Sequence, residues 1–316
     1  MEPLVIITTI ISLLIMAALI LALWEVRHPI VDYVLLKKHK SRSSKIAFDK
    51  SLTAVSLVRP NKISENCKAR ILFFSDLHAE LCRIGHESLC EIIKNEHNHG
   101  KLDAVVFGGD IVSHPGHIQK GRNYMLNVSD LCNELDIPFI GVTGNHDVLL
   151  TKKDVASCGM VDLRNTYKTI PTRDGKELIA FTGVDDTGRK NRVWQTPPFV
   201  PKAIEDIPVT ANIMVCHNPD YLLNIDKTEA TSQTGLRITH MLSGHIHGGQ
   251  IRTPFGIEFT VLRRDLLPKK YNTIAGVYKV DGVGSGLRLF ISRGLGNVML
   301  PLRFFCRPEV SVIEIA

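Results

Sequence analysis

Arg70-Ile71-Leu72-Phe73-Phe74-Ser75 runs straight into Asp76-Leu77-His78, and the reading of this junction decides the fold. A short apolar run bounded by polar residues predicts a strand buried on both faces, here one that ends in a carboxylate and an imidazole. The same arrangement recurs four times downstream. Residues 104–107 lead into Gly108-Gly109-Asp110, and residues 139–142 into Gly144-Asn145-His146-Asp147. Residues 212–216 lead into His217-Asn218-Pro219-Asp220, and residues 238–242 into Ser243-Gly244-His245-Ile246-His247-Gly248-Gly249-Gln250. Helical patterning over 87–97 and 124–135 separates the early strands, the alternation of a layered α/β fold. Asp174-Gly175 marks a hairpin between 167–170 and 177–182. Strands at 277–280 and 287–292, with Asp281-Gly282 between them, predict a second sheet face closed by 310–315.

Each of five successive strands therefore delivers Asp, Asn or His at its carboxyl end, the edge where α/β sheets place their ligand sites. Hard oxygens and imidazoles suit a divalent cation without any thiolate. Asp-x-His and His-x-His are expected in extended backbone, where alternate side chains share a face and grip one ion together. Asp110 follows a Gly-Gly pair that lets the chain approach closely, as a carboxylate shared by two ions requires. Taken singly, each motif also reads as a polar turn or a helix cap. Five of them in order point to one site.

At these residues the sequence resembles the calcineurin-like metallophosphoesterase family, from about Ile71 to Val312. That likeness implies an α/β fold of two sheets, an α/β/β/α sandwich, and two divalent cations, manganese first, with iron, zinc or cobalt as alternatives. It implies that Asp76, His78, Asp110 and His247 hold one ion, and that Asp110, Asn145, His217 and His245 hold the other. His146 would face the phosphorus and the leaving oxygen, with Asp147 setting its tautomer. The chemistry implied is attack of a metal-bound hydroxide on a phosphodiester or pyrophosphate bond. Residues 244–250, with Ser292 to Gly296 and Pro301-Leu302-Arg303, look most like a membrane-associated bacterial branch, some of whose members cleave the pyrophosphate of a UDP-diacylglucosamine lipid. A soluble-nucleotide phosphodiesterase or phosphatase is the alternative activity, and a non-catalytic scaffold the alternative class.

Substrate contacts are expected from His114, close behind Asp110, and from Arg293 and Arg303 as phosphate clamps. Trp194 and Phe199 lie in an irregular, proline-rich stretch over 189–208 that reads as a loop or an apolar lid.

The amino terminus reads differently. Leu4 to Trp24 carries no charge, and 21 residues in a helix span about 31 Å, close to the hydrocarbon thickness of a bilayer. A retained span fits better than a cleaved signal, which needs a basic start and a small-residue cleavage site. Residues 1–25 are thus expected as an anchor, 26–67 as a basic juxtamembrane linker with an interfacial segment at 29–36, and 68–316 as the enzyme domain. The chain of 316 residues has net charge +6; nine Lys/Arg against five acids in residues 1–66 put +4 of it there, leaving +2 for the rest. Lys37, Lys38, Lys40, Arg42 and Lys45 follow the span, which places the domain on the cytoplasmic side with anionic headgroups within reach. With so little charge on the domain, no nucleic-acid partner is expected. The expected partners are the bilayer and a phosphorylated lipid or nucleotide-linked substrate; oligomeric state stays open. Seven cysteines without a Cys-x-x-Cys pair fit free thiols in a reducing compartment.

Overall fold

A computed structural model of the chain describes residues 3–37, 52–55, 63–186, 197–224, 236–252, 267, 273–280 and 287–316. Trp194, the Asp281-Gly282 turn and the basic residues 38–45 lie outside them. Helix α1 (Pro3–Glu25) is followed by strands β1 (Ile30–Leu36), β2 (Leu52–Val55) and β3 (Ala69–Phe74). Helix α2 (His86–Gly100), β4 (Ala104–Phe107), α3 (Ile118–Glu134) and β5 (Phe139–Gly141) continue the chain. Then come α4 (Lys152–Ala156), β6 (Val161–Asp162), β7 (Tyr167–Pro171), β8 (Leu178–Gly183), β9 (Ala203–Ile204) and β10 (Ile207–Val215). Strands β11 (His240–Ser243), β12 (Gly276–Val280), β13 (Leu287–Ile291) and β14 (Glu309–Ile315) complete it.

Two sheets result, one ordered β1-β14-β3-β4-β5-β6 and the other β2-β12-β13-β11-β10-β8-β7, with β9 paired to β10. All six residues of β3 are buried, because alternate side chains enter different cores. Ile71 and Phe73 face the opposite sheet with Val106, Phe181, Ile213 and Phe290. Leu72 and Phe74 point outward, under Leu89 and Ile93 of α2 and Met125 and Val128 of α3. Phe73 meets Phe290 edge-on across the sheets at 5.9 Å. The outer face of the second sheet, with Met214, Met241 and Leu289, is covered by Tyr221, Leu222 and Leu267. The four-layer arrangement matches the expected α/β/β/α sandwich.

Residues 30–36 belong to the enzyme domain's first sheet and not to a linker. β1 pairs in parallel with β14 in full register, from Ile30 on Glu309 to Leu36 on Ile315, and β2 pairs with β12. Both sheets therefore draw an edge strand from the stretch read as a linker. The apolar alternation of β1, next to a longer apolar run, is the signature of a half-buried strand as much as of a membrane surface.

Strands β3, β4 and β5 run parallel to one another, as do β8, β10, β11 and β13. Their carboxyl ends bring the five polar motifs to one edge of the sandwich.

Candidate metal centre

β3 stops at Phe74 and β11 at Ser243, so both His-containing motifs sit beyond their strands. The extended backbone expected for them is not what holds the side chains. Asp76 and His78 have φ of 53° and 40°, Asp110 64°, and His245 and His247 69° and 52°. Left-handed backbone at five non-glycine residues costs free energy at each and persists only where surroundings dictate it. Here the surroundings are backbone hydrogen bonds between loops. Asp76 N–H donates to the Gly109 carbonyl at 2.8 Å and His78 N–H to the Asp110 carbonyl at 3.0 Å. The loop after β13 contributes too, since Gly296 N–H donates to the Asp76 carbonyl at 2.7 Å. Gly294 is required beside it: a Cβ there would lie 2.7 Å from the Asp76 Cβ.

Two triads emerge, Asp76-His78-His247 and Asp110-His217-His245, each with its ligand atoms within 4.8 Å of one another. Both triads mix residues from the two sheets. Asp110 lies between them, its Oδ2 3.5 Å from His78 Nε2 and 3.1 Å from His217 Nε2. Its Oδ1 accepts the His146 N–H at 2.9 Å. His247 Nε2 is 3.4 Å from Asp76 Oδ1 and 3.2 Å from His78 Nε2. Asn145, which precedes the residue whose N–H binds Asp110, is buried, its Oδ1 without a hydrogen-bond partner among the described residues.

Such a donor set fits a pair of divalent cations. The Nδ1 atoms of His78 and His217 are engaged elsewhere, by Ser113 Oγ at 2.9 Å and by the Gly108 carbonyl at 2.8 Å. Each Nε2 is thereby turned inward, as outer partners of a metal-ligating imidazole do. Two Nε2 atoms facing each other, and a buried amide oxygen without a donor, are what a cation among them would satisfy.

Electrostatics separate the two imidazoles. Burial lowers His78 below its ordinary value, outweighing the attraction of Asp110 and Asp76. At His217 burial pulls the same way, but Asp110 prevails and raises it to about 10. Burial by itself would raise Asp110, yet His217 and then His78 hold its carboxyl well below the usual range.

His146 sits against the first triad, its ring 5.1 Å from that of His78. Asp147 does not set its tautomer; His146 Nδ1 instead lies 3.1 Å from the Ser113 carbonyl. The Asp147 carboxylate accepts N–H groups of Gly144 and Asp110 at 2.9 Å and of Ile111 at 2.9 Å, tying the loop after β5 to the loop after β4. Burial and then the charge of Asp110 push it up to about 7. Ser113 was not foreseen. Its hydroxyl serves His78, its carbonyl serves His146, and its N–H donates to Glu80 Oε1 at 2.8 Å. A serine three residues past a ligand carries no signal in sequence.

Neither arginine is a phosphate clamp. Arg303 is fully buried and donates to the carbonyls of Arg293 and Gly294 at 2.9 and 3.2 Å and to that of Gly296, holding the loop after β13. Arg293 is committed to carboxylates, Glu309 at 3.2 Å and Asp32 at 3.4 Å. His114 is exposed and turns its Nδ1 to the Gly116 N–H at 3.2 Å, capping a short turn. Phe199 is 54% exposed on a segment joined through Lys202 to Val209, early in β10, whereas His217 follows the far end of that strand. It is not brought to the metal residues.

Fold and site together define a metal-dependent phosphoesterase. The calcineurin-like phosphoesterase family matches residues 69–249, more than half of the chain, and the protein belongs to that family. The chain is 28% identical over 227 residues, 69% of each sequence, to the uncharacterised metallophosphoesterase YkuE of Bacillus subtilis. It is 24% identical over 277 residues to YkoQ of the same organism, covering 84% of this chain and 91% of the relative. With the phosphodiesterase YaeI of Escherichia coli it shares 28% over 257 residues, 78% of this chain and 82% of the relative.

Proposed function

We propose that the protein is a membrane-anchored phosphohydrolase that cleaves a phosphodiester or pyrophosphate bond in a lipid-linked substrate. The observation that carries this reading is the placement of α1. Its most apolar 18 residues have a mean hydropathy of 3.0 and none of them is buried by the protein. Its last turn nevertheless docks on the loop that supports His247, with Arg303 N–H donating to the Ala22 carbonyl at 3.4 Å and Cys306 N–H to Glu25 Oε2 at 3.2 Å. A site tethered this closely to a span meets amphipathic substrate in two dimensions, an advantage lost on a freely diffusing nucleotide. The basic residues after α1 favour a cytoplasmic domain at the inner membrane.

Asp76, His78 and His247 would hold one divalent ion and His217, His245 and Asn145 the other, with Asp110 shared; manganese suits this oxygen and imidazole set. Such ions, when bound, neutralise phosphoryl oxygens and acidify water toward neutrality. The protein's own part is positional and acid–base. Asp110, held at Oδ1 by the His146 amide, keeps the two triads in register. His146, its Nδ1–H donated to the Ser113 carbonyl, presents Nε2 to the leaving oxygen, and in protonated form it supplies the proton that the departing group needs. Val148 and Leu149, which follow Asp147 directly, are 53% and 73% exposed.

The test is hydrolysis by the full chain, loaded with manganese, of a lipid pyrophosphate in vesicles against a free nucleotide diester at equal concentration. Faster turnover of the vesicle substrate is expected. Preference for the free nucleotide would replace this reading by that of a nucleotide phosphodiesterase.

A further inference from the structure

The loop between β13 and β14 turns large apolar side chains to solvent: Met299 is 87% exposed, Leu300 51% and Phe305 48%. Single exposed apolar residues are ordinary, but three within seven residues of one loop call for an explanation. The loop is also held rigidly. Gln250 Nε2 donates to the carbonyls of Val298 and Leu300, both at 3.0 Å, and Gln250 Oε1 accepts the Val298 N–H at 2.9 Å. Buried Arg303 pins the other limb of the loop to backbone carbonyls after β13. With both limbs fixed, the tip has no route back into the core.

The same loop rests on the end of α1. Besides the bonds to Ala22 and Glu25, the Arg307 guanidinium lies 5.2 Å over the ring of Trp24 and donates to the His28 carbonyl at 2.7 Å. Leu23 and Trp24 are each 46% exposed, and Arg27 and His28 beside them are exposed as well. Apolar side chains, an amphipathic indole and clustered cations at one level are what the headgroup boundary of a bilayer selects.

We infer that Met299, Leu300 and Phe305 insert into the leaflet where α1 ends, as a second membrane contact that does not span. The inference rests on the reading of α1 as a span. One helix alone is a pivot about which the domain swings; a second contact fixes how the metal residues face the surface. The orientation reaches the site through few bonds. Gln250 lies three residues beyond His247, and the Cys306 thiol donates to the His247 carbonyl at 3.4 Å.

The experiment uses the full chain in phosphatidylcholine and phosphatidylglycerol vesicles, with Met299→Trp as the probe and lipids brominated high on the acyl chain as quencher. Val161→Trp, at the exposed edge strand β6 on the opposite side of the sheet from β1, is the control. After subtraction of the parent emission, the indole at 299 is expected to shift to shorter wavelength and lose most of its signal to bromine, while that at 161 keeps its own. Equal, solvent-like emission from both overturns the inference. A chain that does not reconstitute into vesicles overturns it together with the reading of α1. Quenching at 299 upholds the contact whichever substrate the hydrolysis assay favours, so failure of the lipid-substrate reading shows separately.

Discussion

The two triads share the loop after β11 and the same residue types, yet they differ in closure and in charge. Asp76, His78 and His247 are all buried, whereas the second triad leaves His245 half-exposed beside buried Asp110 and His217. In the first, burial keeps His78 neutral, the form that ligates a cation; in the second, Asp110 keeps His217 protonated until something displaces the proton. One triad is thus preset for metal and the other is preset for exchange. What joins them is a single carboxylate.

Asp110→Ala is expected to have the largest effect. If one carboxylate serves both triads, its loss removes both ions' shared ligand, and turnover is expected to fall about 10⁴-fold, several kcal/mol of charge stabilisation. Bound metal measured by mass spectrometry should drop well below two per chain. Retention of two ions would mean that the triads stand independently.

His146→Ala separates chemistry from metal holding. Its ring lies against the first triad without being one of its ligands, so turnover is expected to fall about 10³-fold. Metal content should stay near that of the parent. Asp147→Ala should act in the opposite sense: it unties the loops after β4 and β5, lowers metal affinity and thermal stability together, and leaves the His146 bond to Ser113 in place.

The strands that place these residues were legible because each is buried on both faces, and a run such as Ala104–Phe107 then reads as continuous apolar sequence. Helix α3 begins at Ile118, six residues ahead of its apolar periodicity, because Gly121 conceals a helical turn that packs on Ile111 and Val112. β10 begins at Ile207 because Pro208 falls where β9 pairs at the sheet margin, a position that tolerates it. The convergence of Asp76, His78, Asp110, His217, His245 and His247 was legible, because side chains suited to hold a cation are chemically distinctive. The residues orienting them were not: Ser113 acts through a hydroxyl and a carbonyl, and Arg303 looks like any arginine until its burial is seen. The left-handed backbone of the ligands was hidden for the same reason, since loops with which they bond lie far away in sequence.

Ser113→Ala sharpens the contrast by touching one triad. It deletes the hydroxyl at His78 Nδ1 and keeps the carbonyl at His146, so affinity at the first triad should weaken about 10- to 100-fold. Affinity at the second should not move. A two-site metal titration reads both, and Ser113→Thr, which restores the hydroxyl, should recover the loss.

A last contrast between the triads lies in pH. In the metal-free protein His217 is raised to about 10, so an ion entering the second triad between pH 7 and 9 displaces one proton. Its apparent affinity should therefore rise about tenfold per pH unit over that window and fall again toward acid. His78 is lowered from its ordinary value and is already neutral there, so the first triad releases no proton from it and its affinity should stay flat. Calorimetric titrations in buffers of different ionisation enthalpy count the protons directly. Equal proton release from both triads would show that Asp110 does not single out His217, and the division between a preset site and an exchanging one would go with it.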